Sequence, residues 1–285
     1  MFVIGMHRSG TTMVTQALER LGVFMGANLL HNAENELVVR LNDWLLWQAS
    51  AAWDRPEPFR ELQRNEPVRA LSVDYLRFML GSPRSAPMVG RERALKGGTV
   101  LKLDGRWGLK DPRMTYTLPL WLELWPDARV VSVTRHGVDV AASLHVRAER
   151  KVTEYSKRYE RLRRGYLLKP KHTRMAKLVP TVRCTTLEGA FGLWDEYDTE
   201  LERRHQELGD RVLHLRYEDF LDDPSSHVRR LADFCGLPMD RSAAQEIDAG
   251  RKFAFAARPE LRAFAERADV AAALERHGYR VAASV

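Results

Sequence analysis

Apolar residues recur along this chain in two rhythms, and the alternation between them predicts the fold class. Short stretches that read as strands occur at residues 2–4, 107–110 and 128–134, the last β-branched and apolar enough to be buried on both faces. The last, rich in valine, is the strongest strand in the sequence. Residues 211–216 alternate apolar with polar and predict a fourth strand. Elsewhere the spacing is helical. The helices expected are 10–21, closed by Gly22; 35–53, with Leu37, Leu41, Trp44 and Leu45 on one side; and 68–80, closed by Gly81-Ser82-Pro83. Further helices are expected at 116–125, 138–150, 188–208 and 225–235, and over most of 243–277. Strands alternating with helices predict an α/β fold, three layers α/β/α around a central parallel sheet. No repeat or linker interrupts the pattern, so residues 1–285 read as a single domain.

Composition narrows the class. With 285 residues, 45% hydrophobic and 29% charged, the chain can bury a core without disulfides or a structural metal. Disordered and low-complexity classes are excluded. No run approaches the roughly 18 apolar residues of a membrane span. Cys184 and Cys235 have no metal-type spacing around them, and no basic-then-apolar leader precedes the first strand. Both features predict a reducing, cytoplasmic setting. The net charge of +7 is concentrated. Residues 147–177 hold 12 Lys and Arg against three acids, a balance of +9, whereas the remainder holds 33 against 35, a balance of −2. Tyr155, Tyr159 and Tyr166 interleave with these cations. The segment reads as a basic helix held in solvent, or as a lid or acceptor-binding element. Single-stranded nucleic acid would also suit it, but a near-neutral remainder weakens the case for general nucleic-acid or membrane binding.

The first strand runs into Gly5-Met6-His7-Arg8-Ser9-Gly10-Thr11-Thr12 and then a helix. Strand, glycine-rich loop and helix N-terminus together aim backbone amides at one point, where they bind a phosphate. The spacing is that of the ATP- and GTP-binding loop, but Thr11 stands where the lysine belongs and the cation is Arg8, three positions earlier. A different nucleotide is therefore expected; a kinase using ATP through a degenerate loop is the competing reading. A second anion site is expected where residues 128–134 end. Arg135 follows the strand, at the edge where parallel sheets bind ligands, and Ser143 lies eight residues on.

This arrangement resembles the P-loop-like sulfotransferases that use 3′-phosphoadenosine 5′-phosphosulfate (PAPS). The loop is similar to their 5′-phosphosulfate loop, so the resemblance implies nucleotide contacts from His7, Arg8, Ser9, Gly10, Thr11 and Thr12. Arg135 and Ser143 match the pair that binds the 3′-phosphate in that family. Residues 215–220 with Asp223-Pro224 resemble a further family segment, in which Glu218 and Asp219 read as structural. Lys110, in Lys-Asp-Pro-Arg, resembles a bacterial-type branch; with Arg8 it is the candidate for holding the leaving group. For the base, Glu36 in Ala-Glu-Asn-Glu resembles the catalytic glutamate of glycan-modifying members, and Asp111 is the rival. Glu34 is expected to face solvent or cap the helix. Arg251 and Lys252 lack the glycine that follows such a pair in the cytosolic branch, and are left without a role. The resemblance implies PAPS as donor, PAP as product, no metal, and a hydroxyl acceptor (an amine as second choice) such as a carbohydrate or natural product.

Overall fold

The structure is a computed structural model and describes residues 1–168, 179–238 and 252–280. Two compact units make up the chain, one from residues 1–136 and 196–254, the other from 137–195 and 255–285.

The first unit is built on four parallel strands: β1 (Phe2–Gly5), β2 (Leu109–Lys110), β3 (Val130–Thr134) and β4 (Val212–Arg216), in the order β2-β1-β3-β4. Phe2 pairs with Leu109 and Val130, and Gly5 with Val133, so β1 and β3 end together. Side chains alternate across this sheet as a strand's two-residue period demands. Val3, Val131, Val133 and Leu215 face one side and pack with Val14, Ala17 and Leu18 of α1 (Thr11–Arg20). Phe220 of α10 (Tyr217–Asp222) and Val228 and Leu231 of α11 (Pro224–Cys235) complete that layer. Phe2 faces the other side, edge-on to Trp121 of α7 (Met114–Leu122) and to Trp125. The same unit holds α2 (Glu36–Gln48), α3 (Phe59–Arg64), α4 (Glu66–Gly81) and the short α5 (Ala86–Val89) and α6 (Arg91–Leu95). The fold is thus mixed α/β, a parallel four-stranded sheet flanked by helices, as the two rhythms predicted.

The second unit holds α8 (Gly137–Leu168), the start of α9 (Leu187–Leu208), α12 (Pro259–Ala265) and α13 (Ala268–Arg276). Gly137 opens α8 against the ring of Trp194, where a Cβ would collide with the indole. Asp139 accepts a hydrogen bond from the Phe255 amide at 2.8 Å. The helix expected over 138–150 runs on to Leu168. Its continuation has exposed, charged helix-forming residues supported by pairs such as Lys151–Glu154, so solvent rather than a core keeps it polar. Of the helix expected over most of 243–277, α12 and α13 supply the part from Pro259 to Arg276; residues 239–251, with Arg251, lie outside the described residues. So do 169–178, the end of the basic segment. No helix among the described residues is long and apolar enough to cross a membrane.

Two histidines couple the sheet to acid. His205 of α9 meets the Ser132 hydroxyl at 2.8 Å, His214 of β4 meets the Thr134 hydroxyl at 2.8 Å, and the two rings lie 4.8 Å apart. Burial, then the neighbouring His205, Arg216 and Arg230, depress the His214 pKa to about 4; burial also depresses that of His205. The unfolded chain therefore takes up these protons at higher pH than the folded chain does. Stability is full above the ordinary histidine value of 6.5 and is lost as pH falls from there towards about 4. His214 itself is exposed to solvent, which screens the effect and makes it smaller than full burial would give. Thermal midpoints are expected to be level above pH 6.5 and to fall by a few degrees towards pH 4.5, with His214→Gln flattening that slope; an unchanged slope in the variant would exclude this pair as its source.

Candidate active site

The loop between β1 and α1, Met6 to Gly10, is shaped by close backbone approaches. Gly5 has φ +147°, and a Cβ there would strike the Val133 carbonyl oxygen. Its amide donates to the Thr115 hydroxyl at 3.2 Å. Arg8, exposed, takes φ +73°, a left-handed value uncommon for a residue with a side chain. The buried Ser9 hydroxyl donates to the Met6 carbonyl at 2.7 Å, so it braces the loop. His7 is buried edge-on to Trp53, with ring centres 5.0 Å apart. α1 starts at Thr11 with Gly10 at its N-cap and no side chain capping it, which aims its first amides into the loop.

Tyr217 joins this loop to the end of β3. Gly10 has φ +97° and lies so close to the Tyr217 ring that a Cβ would overlap it. The Arg135 guanidinium stacks over the same ring, 4.4 Å from its centre, and donates to the Arg8 carbonyl at 3.3 Å. Behind them, the His136 amide donates to the buried Glu218 carboxylate at 2.9 Å, the structural part expected of Glu218. Ser143 is half-buried on α8 in the second unit, and its pairing with Arg135 rests on sequence alone.

A buried ionic cluster forms the other wall. Lys110 ends β2, and its ammonium donates to Glu34 at 2.8 Å and to the Asn32 carbonyl at 2.9 Å. The Thr12 hydroxyl donates to that same carbonyl at 3.0 Å. Arg113 pairs with Asp111 at 3.0 Å and Asp43 at 2.6 Å, and lies 3.8 Å from Glu34. Burial opposes the Arg113 charge, but Asp111, Asp43 and Glu34 outweigh it and hold its pKa above the ordinary arginine value. Asp111 is fully buried; its second oxygen accepts from Asn42 at 2.9 Å. Asn42 in turn accepts from Thr117 and Trp121. Every charge in the cluster thus has a counter-charge or a donor, the condition for ions inside a protein.

Comparison with known proteins decides the family. The model described as the Sulfotransferase family matches residues 1–241. The chain belongs to the sulfotransferase family. No curated protein matches the chain significantly. Solved structures similar to it include a sulfotransferase from Alicyclobacillus acidocaldarius, 17% identical over 96% of this chain and 93% of that one, with TM-score 0.48. Another is the sulfotransferase domain of the Synechococcus PCC 7002 olefin synthase, 17% identical over 87% and 77%, with TM-score 0.43. A third is the sulfotransferase domain from the curacin biosynthetic pathway, 14% identical over 87% and 78%, with TM-score 0.45.

Within this sulfotransferase, the residues expected from sequence divide. Gly10, Thr12, Arg8, Arg135 and Lys110 gather around the loop, and Asp111 lies beside Lys110 but sealed from solvent. Glu36 stands on the first turn of α2, its side chain 55% exposed and paired with Arg40 at 2.6 Å. The expectation for Glu34 is overturned. Asn35, not Glu34, caps α2 by accepting from the Leu37 amide, and Glu34 is buried against Lys110. The cause is a tight turn in which the Leu30 amide donates to the Glu34 carbonyl and Ala33 takes φ +56°. Asn42 was not foreseen, and the polar position inside the apolar face of α2 was its signal; Tyr217 lies in the segment 215–220, whose resemblance implied an aromatic region close to the nucleotide.

The two ion pairs should differ in stability. Lys110→Met strands a buried carboxylate and is expected to cost about 3–5 kcal/mol in urea unfolding. Arg40→Met, at the exposed pair, should cost less than about 1 kcal/mol. Equal costs would mean that the Lys110–Glu34 pair is hydrated.

Proposed function

We propose that this sulfotransferase moves the sulfuryl group of PAPS to a hydroxyl acceptor, with an amine as second choice and a carbohydrate or natural product as the acceptor class. The observation that supports it best is the Asn32 carbonyl, which receives both the Thr12 hydroxyl and the Lys110 ammonium. That one atom ties the phosphate loop to a cation and, through it, to the Glu34 carboxylate. In this reading the loop amides, Arg8 and Thr12 hold the 5′-phosphosulfate, and Arg135 on its Tyr217 plate holds the 3′-phosphate. Glu34 takes the acceptor proton as the acceptor oxygen bonds to sulfur in line with the departing bridging oxygen. Lys110 and Arg8 offset the charge that gathers on that leaving oxygen, so the step calls on cations and amides rather than a metal.

Glu34 replaces Glu36 in this role because Glu36 points to solvent and pairs with Arg40. Asp111 is the weaker rival: both its oxygens accept hydrogen bonds, from Arg113 and Asn42, whereas Glu34, though also buried, accepts one from Lys110 and has only a 3.8 Å ion pair with Arg113 at its second oxygen. The exposed basic stretch of α8 is the proposed acceptor-binding element. A cytoplasmic setting belongs to this reading, on the cysteine usage of the sequence.

PAP should raise the melting temperature, and ATP, AMP and NAD should do so much less. Arg8→Ala and Arg135→Ala should abolish the PAP shift. A larger shift with ATP would turn the reading to a kinase. Glu34→Gln should retain the PAP shift while transfer falls by at least about a hundredfold, and Glu36→Gln should transfer within a fewfold of the parent. The opposite ranking would return the base to Glu36.

A further inference from the structure

α4 is apolar on two sides. Ser72, Val73, Leu76 and Leu80 are buried, as a helix laid on a core requires. Val68, Leu71, Tyr75 and Phe78 form a second stripe, spaced three, four and three residues apart, with Leu71 70% and Phe78 67% exposed. Trp44 of α2 stacks on Tyr75 at 4.0 Å between ring centres, and the pair lies in a hollow of about 420 Å³ bordered by this stripe. One turn along α2 stands Trp47, 74% exposed. Together these side chains leave on the order of 500 Å² of apolar surface in solvent, the upper range of what a monomer shows.

The chemistry of the rim limits the occupant. Asp74 and Arg77 alternate in sign beside the stripe, so no field of one sign favours a nucleic acid, an anionic membrane or a highly charged partner. A small molecule in the hollow would leave Trp47 and most of the stripe wet. What distinguishes the face is that Leu71 and Phe78 project into solvent and also wall the hollow, whose lining is mostly apolar with Gln48, Ser72 and Asp74 at its edge, while Trp47 stands one turn away. A two-fold interface needs both projection and hollow on the same surface, since each residue meets its partner's counterpart reciprocally. The three-four-three spacing is also that of a helix seam packing on another helix. The exposed apolar area, with its polar rim, approaches the roughly 800 Å² per partner of a stable interface.

We propose that this face, α4 with the Trp44–Trp47 turn of α2, is the interface of a two-fold homodimer in which Leu71 and Phe78 of each copy enter the Trp44–Tyr75 hollow of the other. The site of the proposed transfer is not part of it. Sedimentation velocity across the micromolar range should give a species of twice 32.7 kDa that dissociates on dilution. Leu71→Arg with Phe78→Glu should raise the dissociation constant at least about a hundredfold, while far-UV circular dichroism stays that of the parent. Trp47→Glu alone, away from the hollow, should weaken the dimer by about tenfold. A parent chain that stays monomeric throughout, a dimer that survives the double substitution, or a monomeric parent that binds a hydrophobic dye stoichiometrically in the hollow would each overturn the proposal.

Discussion

The Lys110–Glu34 ion pair is the constraint on which the arrangement of the site depends. An ammonium and a carboxylate removed from water are tolerated only when their remaining valences are filled, and each partner is filled by a different element. Lys110 comes from the end of β2, Glu34 from the turn before α2, and Asn32 of that turn also receives the Thr12 hydroxyl of α1. Moving any of these elements would strand a charge. The pair therefore sets the distance between the phosphate loop and the carboxylate wall more firmly than apolar packing, which accepts small shifts, could do.

The same logic extends outward in steps. Arg113 is shared among Asp111, Asp43 and Glu34, and Asp111 reaches through Asn42 to Thr117 and Trp121. A polar seam thus passes from the loop into the layer that covers Phe2. Tyr217 does the corresponding work on the other wall, where its ring fills the space that Gly10 leaves and carries Arg135. Glycine at position 10 is thereby required twice, by its dihedral angle and by the ring above it. The apolar stripe of α4 obeys no such constraint from within the chain.

Much of this was legible in the sequence, and the reason is locality. The four strands and the loop after β1 are short runs whose meaning lies in adjacent residues: β-branched stretches, a glycine at each end of the loop, threonines opening a helix. The heptad-like positions of α4 were legible too, but periodicity does not say which of two apolar stripes meets the core. The helix expected over 138–150 runs on as α8 to Leu168, where charged pairs and helix propensity carry it without a core to pack on.

The sequence by itself determined an α/β chain with a parallel sheet, a glycine-flanked loop between the first strand and a helix, an arginine at the end of the third strand, and a sulfotransferase resemblance. Only the tertiary structure decided which of two neighbouring carboxylates is buried beside Lys110. Glu34 and Glu36 are two residues apart with the same side chain, and no local pattern separates them. They are separated by a turn with Ala33 in a left-handed conformation and by a lysine 76 residues away, whose buried charge needs a partner. Electrostatic need inside a core is a property of residues brought together by folding, and it buried Glu34 against Lys110 while Glu36 stayed exposed.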